Sequence, residues 1–234
     1  MDSNERLVDT ELQKKVISSA ALSAWHVYMD IFERRWGLTR KISEHISITA
    51  GDLLEAEFVE RGKEAYSTSV ALPIRNAMYQ AMMVEWRWSF LREMGIMSPV
   101  LDYGCGVGLF LLWLHRKGYT DLYGYELPGV QRSVMKEVFD KYGIGVWDHD
   151  GGGFNTVICL NVLEHVEHPL ELLNKLYGLG KRVLADICID EDDKNQIPHI
   201  APKDELAECR EILIERKGLY SWGGPRISTR PEGL

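Results

Sequence analysis

The sequence contains little of what marks membrane, secreted or nucleic-acid-coating proteins. In its 234 residues no apolar run approaches the roughly 18 needed to cross a bilayer. Asp2, Glu5 and Arg6 interrupt the N-terminus where a secretory leader would be apolar. A cytoplasmic protein is expected. Cysteine is scarce and scattered, at Cys105, Cys159, Cys188 and Cys209, which excludes a disulfide framework or a zinc-binding cysteine cluster and predicts reduced thiols. Positive charge is also short, with 27 Lys and Arg against 35 Asp and Glu and a net charge of −8. Broad binding to phosphate backbones needs a positive surface that displaces counterions. The expected partner is therefore a small molecule, with no nucleic acid, no membrane and no metal.

The chain does contain two kinds of periodicity. From about residue 9 to 97 apolar residues recur at helical spacing, beginning with Leu12, Val16, Ala20, Ala24 and Tyr28 and joined by Ile17, Ile31 and Phe32. Asp52 can cap a second helix, and Pro73 suits the first turn of a third that runs to Met94. That third segment carries Met78, Tyr79, Met82, Met83, Trp86, Trp88 and Phe90, a stripe readable as helix core or as a substrate box.

Beyond Pro99, short β-rich runs at 99–103, 121–126, 144–148, 155–160 and 181–188 alternate with helical runs at 108–117, 129–141, 168–178 and 203–217. Such alternation predicts a parallel sheet covered by helices. Two further short strands around Gly223-Gly224, within 219–229, would add an antiparallel edge, and the acidic 190–202 stretch reads as a flexible loop. The expected architecture is a helical extension over 1–97, covering the site as a lid, and an α/β domain over 98–234. That domain is a doubly wound, mostly parallel, Rossmann-like sheet of seven strands.

One segment stands out: Val100-Leu101-Asp102-Tyr103-Gly104-Cys105-Gly106-Val107-Gly108, followed by the apolar Leu109 to Leu114. Glycines at a strand-to-helix turn let the backbone bend sharply and let a ligand lie against it. The dinucleotide pattern Gly-x-Gly-x-x-Gly fails here, because its last position is Leu109. Twenty residues beyond Gly106, Leu122-Tyr123-Gly124-Tyr125-Glu126 ends in an acid able to accept both hydroxyls of a ribose. Then come Asp148 and Asp150, and later Phe154 to Pro169, which contains Leu160-Asn161-Val162-Leu163-Glu164-His165-Val166.

In that order these motifs resemble the class I S-adenosylmethionine-dependent methyltransferases, and among them the ubiquinone-pathway O-methyltransferase-like small-molecule enzymes. The resemblance covers residues 98 to about 190 and implies S-adenosylmethionine as cofactor and S-adenosylhomocysteine as product. It implies that Asp102, Tyr103, Gly104, Cys105, Gly106, Gly108, Glu126, Leu127, Leu160 and Asn161 contact the cofactor. Asp148, with Asp150 as competitor, would meet the adenine. The methyl acceptor, through an oxygen or nitrogen, would lie near His165, and Arg75, Tyr79 and Arg87 are candidates to hold the cofactor carboxylate or an acidic substrate. Two readings of His165 stand open: a general base, or a packed loop residue that orients Glu164. Glu164, His165, Glu167 and His168 could also be read as metal ligands, but the resemblance already accounts for them.

Overall fold

A computed structural model describes residues 19–37, 64–148, 151–187 and 199–220. The second helix expected after Asp52, the Gly223-Gly224 turn, Cys188, Asp150 and the 190–198 part of the acidic loop lie outside them.

Three helices come first: α1 (Ser19–Trp36), the short α2 (Glu64–Thr68) and α3 (Ala71–Met94). A regular alternation follows: β1 (Val100–Tyr103), α4 (Leu109–Arg116), β2 (Leu122–Tyr125), α5 (Val130–Tyr142), β3 (Gly145–Val146) and β4 (Phe154–Cys159). A 3₁₀ turn at Leu163–His165 leads into α6 (Pro169–Leu179), β5 (Gly180–Asp186), α7 (Lys203–Glu215) and β6 (Leu219–Tyr220). The strands form one sheet in the order β3-β2-β1-β4-β5-β6. Every pair is parallel, with Val100 of β1 opposite Leu122 on one side and Thr156 on the other.

The described part of the sheet ends on β6. Among the described residues there are six strands, and β6 pairs parallel with β5 through Ala185–Leu219 and Asp186–Tyr220. Helix α7 carries the chain back across the sheet, so β6 enters in the same direction as β5; the expected antiparallel hairpin around Gly223-Gly224 lies outside the described residues.

Strand alternation sends successive side chains to two cores. Val100, Ile158 and Leu184 face a core shared with α1, α3, α4 and α5. Leu101, Val157, Cys159, Val183 and Ala185 face the other, closed by α6 and α7. Cys105, Cys159 and Cys209 are buried free thiols. The first core includes Tyr28, Phe32, Ile74, Ala77, Ala81, Val84 and Leu91, so α1 and α3 are built into the same hydrophobic interior as the sheet. Helix α1 is also clamped to α5: Arg35 donates to Glu137 at 2.7 Å and to the Ser133 hydroxyl at 2.7 Å. No described helix is long and apolar enough to cross a membrane.

The strand order reverses direction of winding between β1 and β4, and in open parallel sheets ligands bind at the carboxyl ends of the strands at that switch point. The glycine loop after β1, Glu126 after β2 and Leu160-Asn161 after β4 all emerge there.

Candidate functional site

At this end of the sheet lies a cavity of about 600 Å³, within the range of small-molecule and cofactor pockets. Its wall brings together Tyr103, Gly104, Gly106, Glu126, Leu127, Leu160 and Asn161 from the sheet ends, His165 from the 3₁₀ turn, and Arg75, Tyr79 and Arg87 from α3. All of these were singled out from the sequence. Asp102, Cys105 and Gly108 stand behind the wall. A Cβ at Gly108 would fall 2.3 Å from the Phe139 ring, so there the missing side chain makes room for α5, not for a ligand.

Gly106 sits at φ +61°, in the left-handed region that disfavours a side chain, and its Cβ would come 2.8 Å from the Gln80 amide nitrogen. The loop has two fasteners. Glu126 Oε2 accepts from the Gly106 N–H at 2.6 Å and its Oε1 from the Leu127 N–H at 3.2 Å. Gln80 bridges the loop's far side, donating to the Cys105 carbonyl at 3.0 Å and accepting from the Leu109 N–H at 3.0 Å. Leu109 opens α4 behind Gly108, which has no side chain to cap it. A helix start leaves N–H groups without intrahelical partners, and here α3 supplies the cap from outside. The Tyr28 hydroxyl adds a third tie by donating to the Val107 carbonyl at 2.9 Å.

Deeper in the cavity Arg87 donates to Asn161 Oδ1 at 2.9 Å, while Asn161 donates to the Tyr79 hydroxyl at 3.2 Å. Asn161 holds φ +55°, fixed by its backbone N–H bonding to the Asp186 carboxylate at 2.5 Å. Among the described residues four carboxyl groups are buried: Asp102, Glu164 and Asp186 lie near the one buried guanidinium, Arg87, and Glu126 lies near Arg132. Burial lifts Asp102 to about 7, against the pull of Arg87, with Glu126 and Asp186 pushing the same way as burial. Burial lifts Glu126 to about 7 as well, opposed by the Gly106 and Leu127 N–H bonds. Glu164 and Asp186 are both raised, first by burial, with Asp186 pushing Glu164 further up.

Asp148 does not reach the cavity wall. Its side chain is 60% exposed and ion-paired with Arg132, which also donates to the Glu126 carbonyl at 2.8 Å. Burial in a ligand site and pairing with a nearby cation compete for such a carboxylate, and on this exposed turn the cation has it. Sequence reasoning missed Asn76, Gln80, Gln131, Tyr125 and Lys175, all on the wall. Asn76 and Gln80 had a signal: they flank the apolar seam of Ile74, Ala77, Ala81 and Val84, four residues apart on one helix face. Tyr125 packs on Tyr103, ring centroids 4.6 Å apart, and Lys175 lies over the Tyr103 ring at 5.6 Å. His199, brought beside His165 with ring centroids 5.1 Å apart, was also unforeseen.

Residues 79–186 match the family model described as a methyltransferase domain, a stretch that contains the glycine loop, Glu126 and Asn161. These residues thus carry a methyltransferase domain, in keeping with the class I S-adenosylmethionine-dependent resemblance. The methyltransferase is 31% identical over 129 residues to a tRNA U34 carboxymethyltransferase of Helicobacter pylori strain HPAG1, covering 45% of this chain and 49% of the relative. It is 23% identical over 204 residues to the enzyme of that name from Wolinella succinogenes, covering 76% and 72%. The chain thus spans about half the length of the Helicobacter relative. A solved magnesium protoporphyrin IX methyltransferase from Synechocystis PCC 6803 aligns at 20% identity and TM-score 0.41 over 58% of this methyltransferase and 74% of that one.

The curated relatives overturn one expectation. The sequence reading took a small-molecule acceptor and excluded nucleic acid, whereas these relatives are named for action on tRNA. The inference from net charge failed because −8 is a sum over the whole chain, whereas an enzyme that draws one nucleotide into a pocket needs favourable contacts only around that pocket.

Proposed function

We propose that this chain transfers a one-carbon or substituted one-carbon group from an S-adenosylmethionine-type donor to a nucleotide of tRNA. The observation that carries the donor half is the Gly106–Glu126 pair, a glycine N–H and a buried carboxylate 2.6 Å apart on the wall of the cavity at the switch point. The residues fit the donor: a loop with no Cβ at Gly104 and Gly106, a carboxylate for paired ribose hydroxyls, and Tyr103 and exposed Leu127 as apolar surface for a base. The acceptor half rests on the curated relatives.

When bound, the donor supplies a carbon already activated by a positively charged sulfur. Everything else falls to the protein. Glu126 holds the ribose, and the Gly104–Gly106 backbone lies along the donor. Leu160 and Asn161 border the reacting end, with Asn161 held in place by Asp186 and Arg87. Tyr79 and Arg75 of α3, facing His165 across the cavity, frame the acceptor and keep water from the reacting carbon. At the rim Lys175 and His168 offer positive or neutral donors to an RNA backbone, beside Glu167 and Glu171. In this reading α3 and the turn carrying His165 contribute the acceptor side of the pocket and the ends of β1 and β2 the donor side.

The test is transfer of label from radiolabelled S-adenosylmethionine, and in parallel from its carboxylated analogue, to total tRNA. Label in material that ribonuclease releases supports the proposal. Label that stays acid-soluble when tRNA is replaced by a metabolite extract, with none in tRNA, overturns it.

A further inference from the structure

We propose that Glu164, His165 and His199 form a binding site for a divalent transition-metal ion at the acceptor end of the cavity. One ligand atom from each of the three lies within 4.8 Å of the others. Two imidazoles and one carboxylate are a donor set that suits zinc, manganese, iron or cobalt, and suits magnesium or calcium poorly, since those prefer all-oxygen sites.

Three independent features support this. Glu164 is fully buried, yet among the described residues neither carboxylate oxygen has a hydrogen-bond partner. A buried carboxylate without a partner is expensive, and a cation between it and the two rings removes the expense. Charge is also unbalanced: among the described residues three buried carboxyl groups, Asp102, Glu164 and Asp186, share one buried guanidinium, Arg87, and a divalent ion would offset the excess. Finally, the three ligands are held relative to one another by backbone. The Ile200 and Ala201 N–H groups both donate to the Glu164 carbonyl, at 3.0 and 3.3 Å, which pins the segment carrying His199 to the 3₁₀ turn carrying Glu164 and His165.

Three protein ligands leave coordination positions open, the arrangement of a catalytic rather than a structural ion. His165 and Ile200 line the cavity, so the open positions face the space assigned to the acceptor. Oxygens of the acceptor nucleotide, a hydroxyl or a phosphate, are the ligands that would complete the shell. His165 is then neither a free base nor a packing residue but a metal ligand, and of the four residues first considered for a metal, Glu167 and His168 drop out in favour of His199. This assignment of the open positions rests on the proposed function; the ion site itself does not.

The test is titration of the chelator-treated full chain with Co²⁺, read by visible absorption and calorimetry. One equivalent is expected to bind, with a ligand-field band. His199→Ala and His165→Ala should each weaken binding at least tenfold, while His168→Ala leaves it unchanged. Glu164→Gln should abolish binding and leave the metal-free protein at least as heat-stable as the parent, a result that separates ligation from a structural role. Absence of stoichiometric Co²⁺ and Zn²⁺ binding, or binding unaffected by His199→Ala, overturns the site. Calorimetry of S-adenosylmethionine with the metal-free protein reports on the donor reading separately, so either can fail alone.

Discussion

If Glu126 holds the donor's ribose, as proposed, the donor's affinity depends on pH. The residue is 8% exposed, and its carboxylate bridges the Gly106 and Leu127 N–H groups and is pushed by burial up to about 7. Ribose hydroxyls donate best to an ionised acceptor, so below that value binding must first remove a proton. With a pKa of about 7, the ionised fraction falls about tenfold between pH 8 and pH 6, and the dissociation constant for S-adenosylmethionine should rise about tenfold with it. Glu126→Gln keeps an acceptor oxygen but loses the charge. Hydrogen bonds to charged groups contribute about 1.5–3 kcal/mol each, so a loss of about 2–3 kcal/mol, or about 30- to 150-fold in affinity at pH 8, is expected. The variant's affinity should then be nearly level from pH 6 to pH 8. Isothermal titration calorimetry of both proteins over that range is the assay, with Asp102→Asn as the control for the other carboxyl lifted to about 7. If Glu126→Gln keeps the parent's pH slope, or its affinity at pH 8 is unchanged, the carboxylate does not hold the ribose.

Other consequences follow from the same geometry. Gly106→Val places a Cβ against Gln80 and a branched side chain at φ +61°, and should eliminate measurable donor binding while circular dichroism shows the fold retained. Gln80→Leu strands the Cys105 carbonyl and the Leu109 N–H; a loss of about 1–3 kcal/mol should lower the melting temperature by about 2–12 °C, and an unchanged melt would mean water replaces the amide without penalty. Heat stability should rise as pH falls. Asp102 binds its proton more tightly folded, at about 7, than unfolded, so its contribution is complete below the unfolded value near 3.8 and is lost as pH rises through 7. Between pH 8 and pH 5.5 this amounts to about 2 kcal/mol, which Asp102→Asn should remove from a scanning calorimetry series.

Most of the sheet was legible because its strands and helices carry unmixed periods. Val100 and Leu101, and Val157, Ile158 and Cys159, reach the two cores by alternation, and Leu109 to Leu114 are buried throughout. That the glycine loop, Glu126 and Asn161 share a cavity wall was legible for a local reason: each follows a strand directly. What escaped depends on distant parts of the chain meeting. Nothing near Gly108 says that its helix is capped from residue 80. Nothing at His165 says that residue 199 returns to it. Net charge misled because it averages over surfaces that a substrate never touches.

The ties from α1 and α3 to the glycine loop bear on how this protein could have diverged. Tyr28 and Gln80 determine the shape of a loop whose own sequence is common property of its family. The helices therefore cannot be exchanged for those of a relative with a different acceptor unless the loop's fasteners are exchanged as well. A change of acceptor in this lineage has to proceed by altering side chains on the inner face of α3, one at a time, while positions 28 and 80 stay fixed. An alignment of near relatives should show variation at Arg75, Asn76 and Tyr79 around an invariant Gln80.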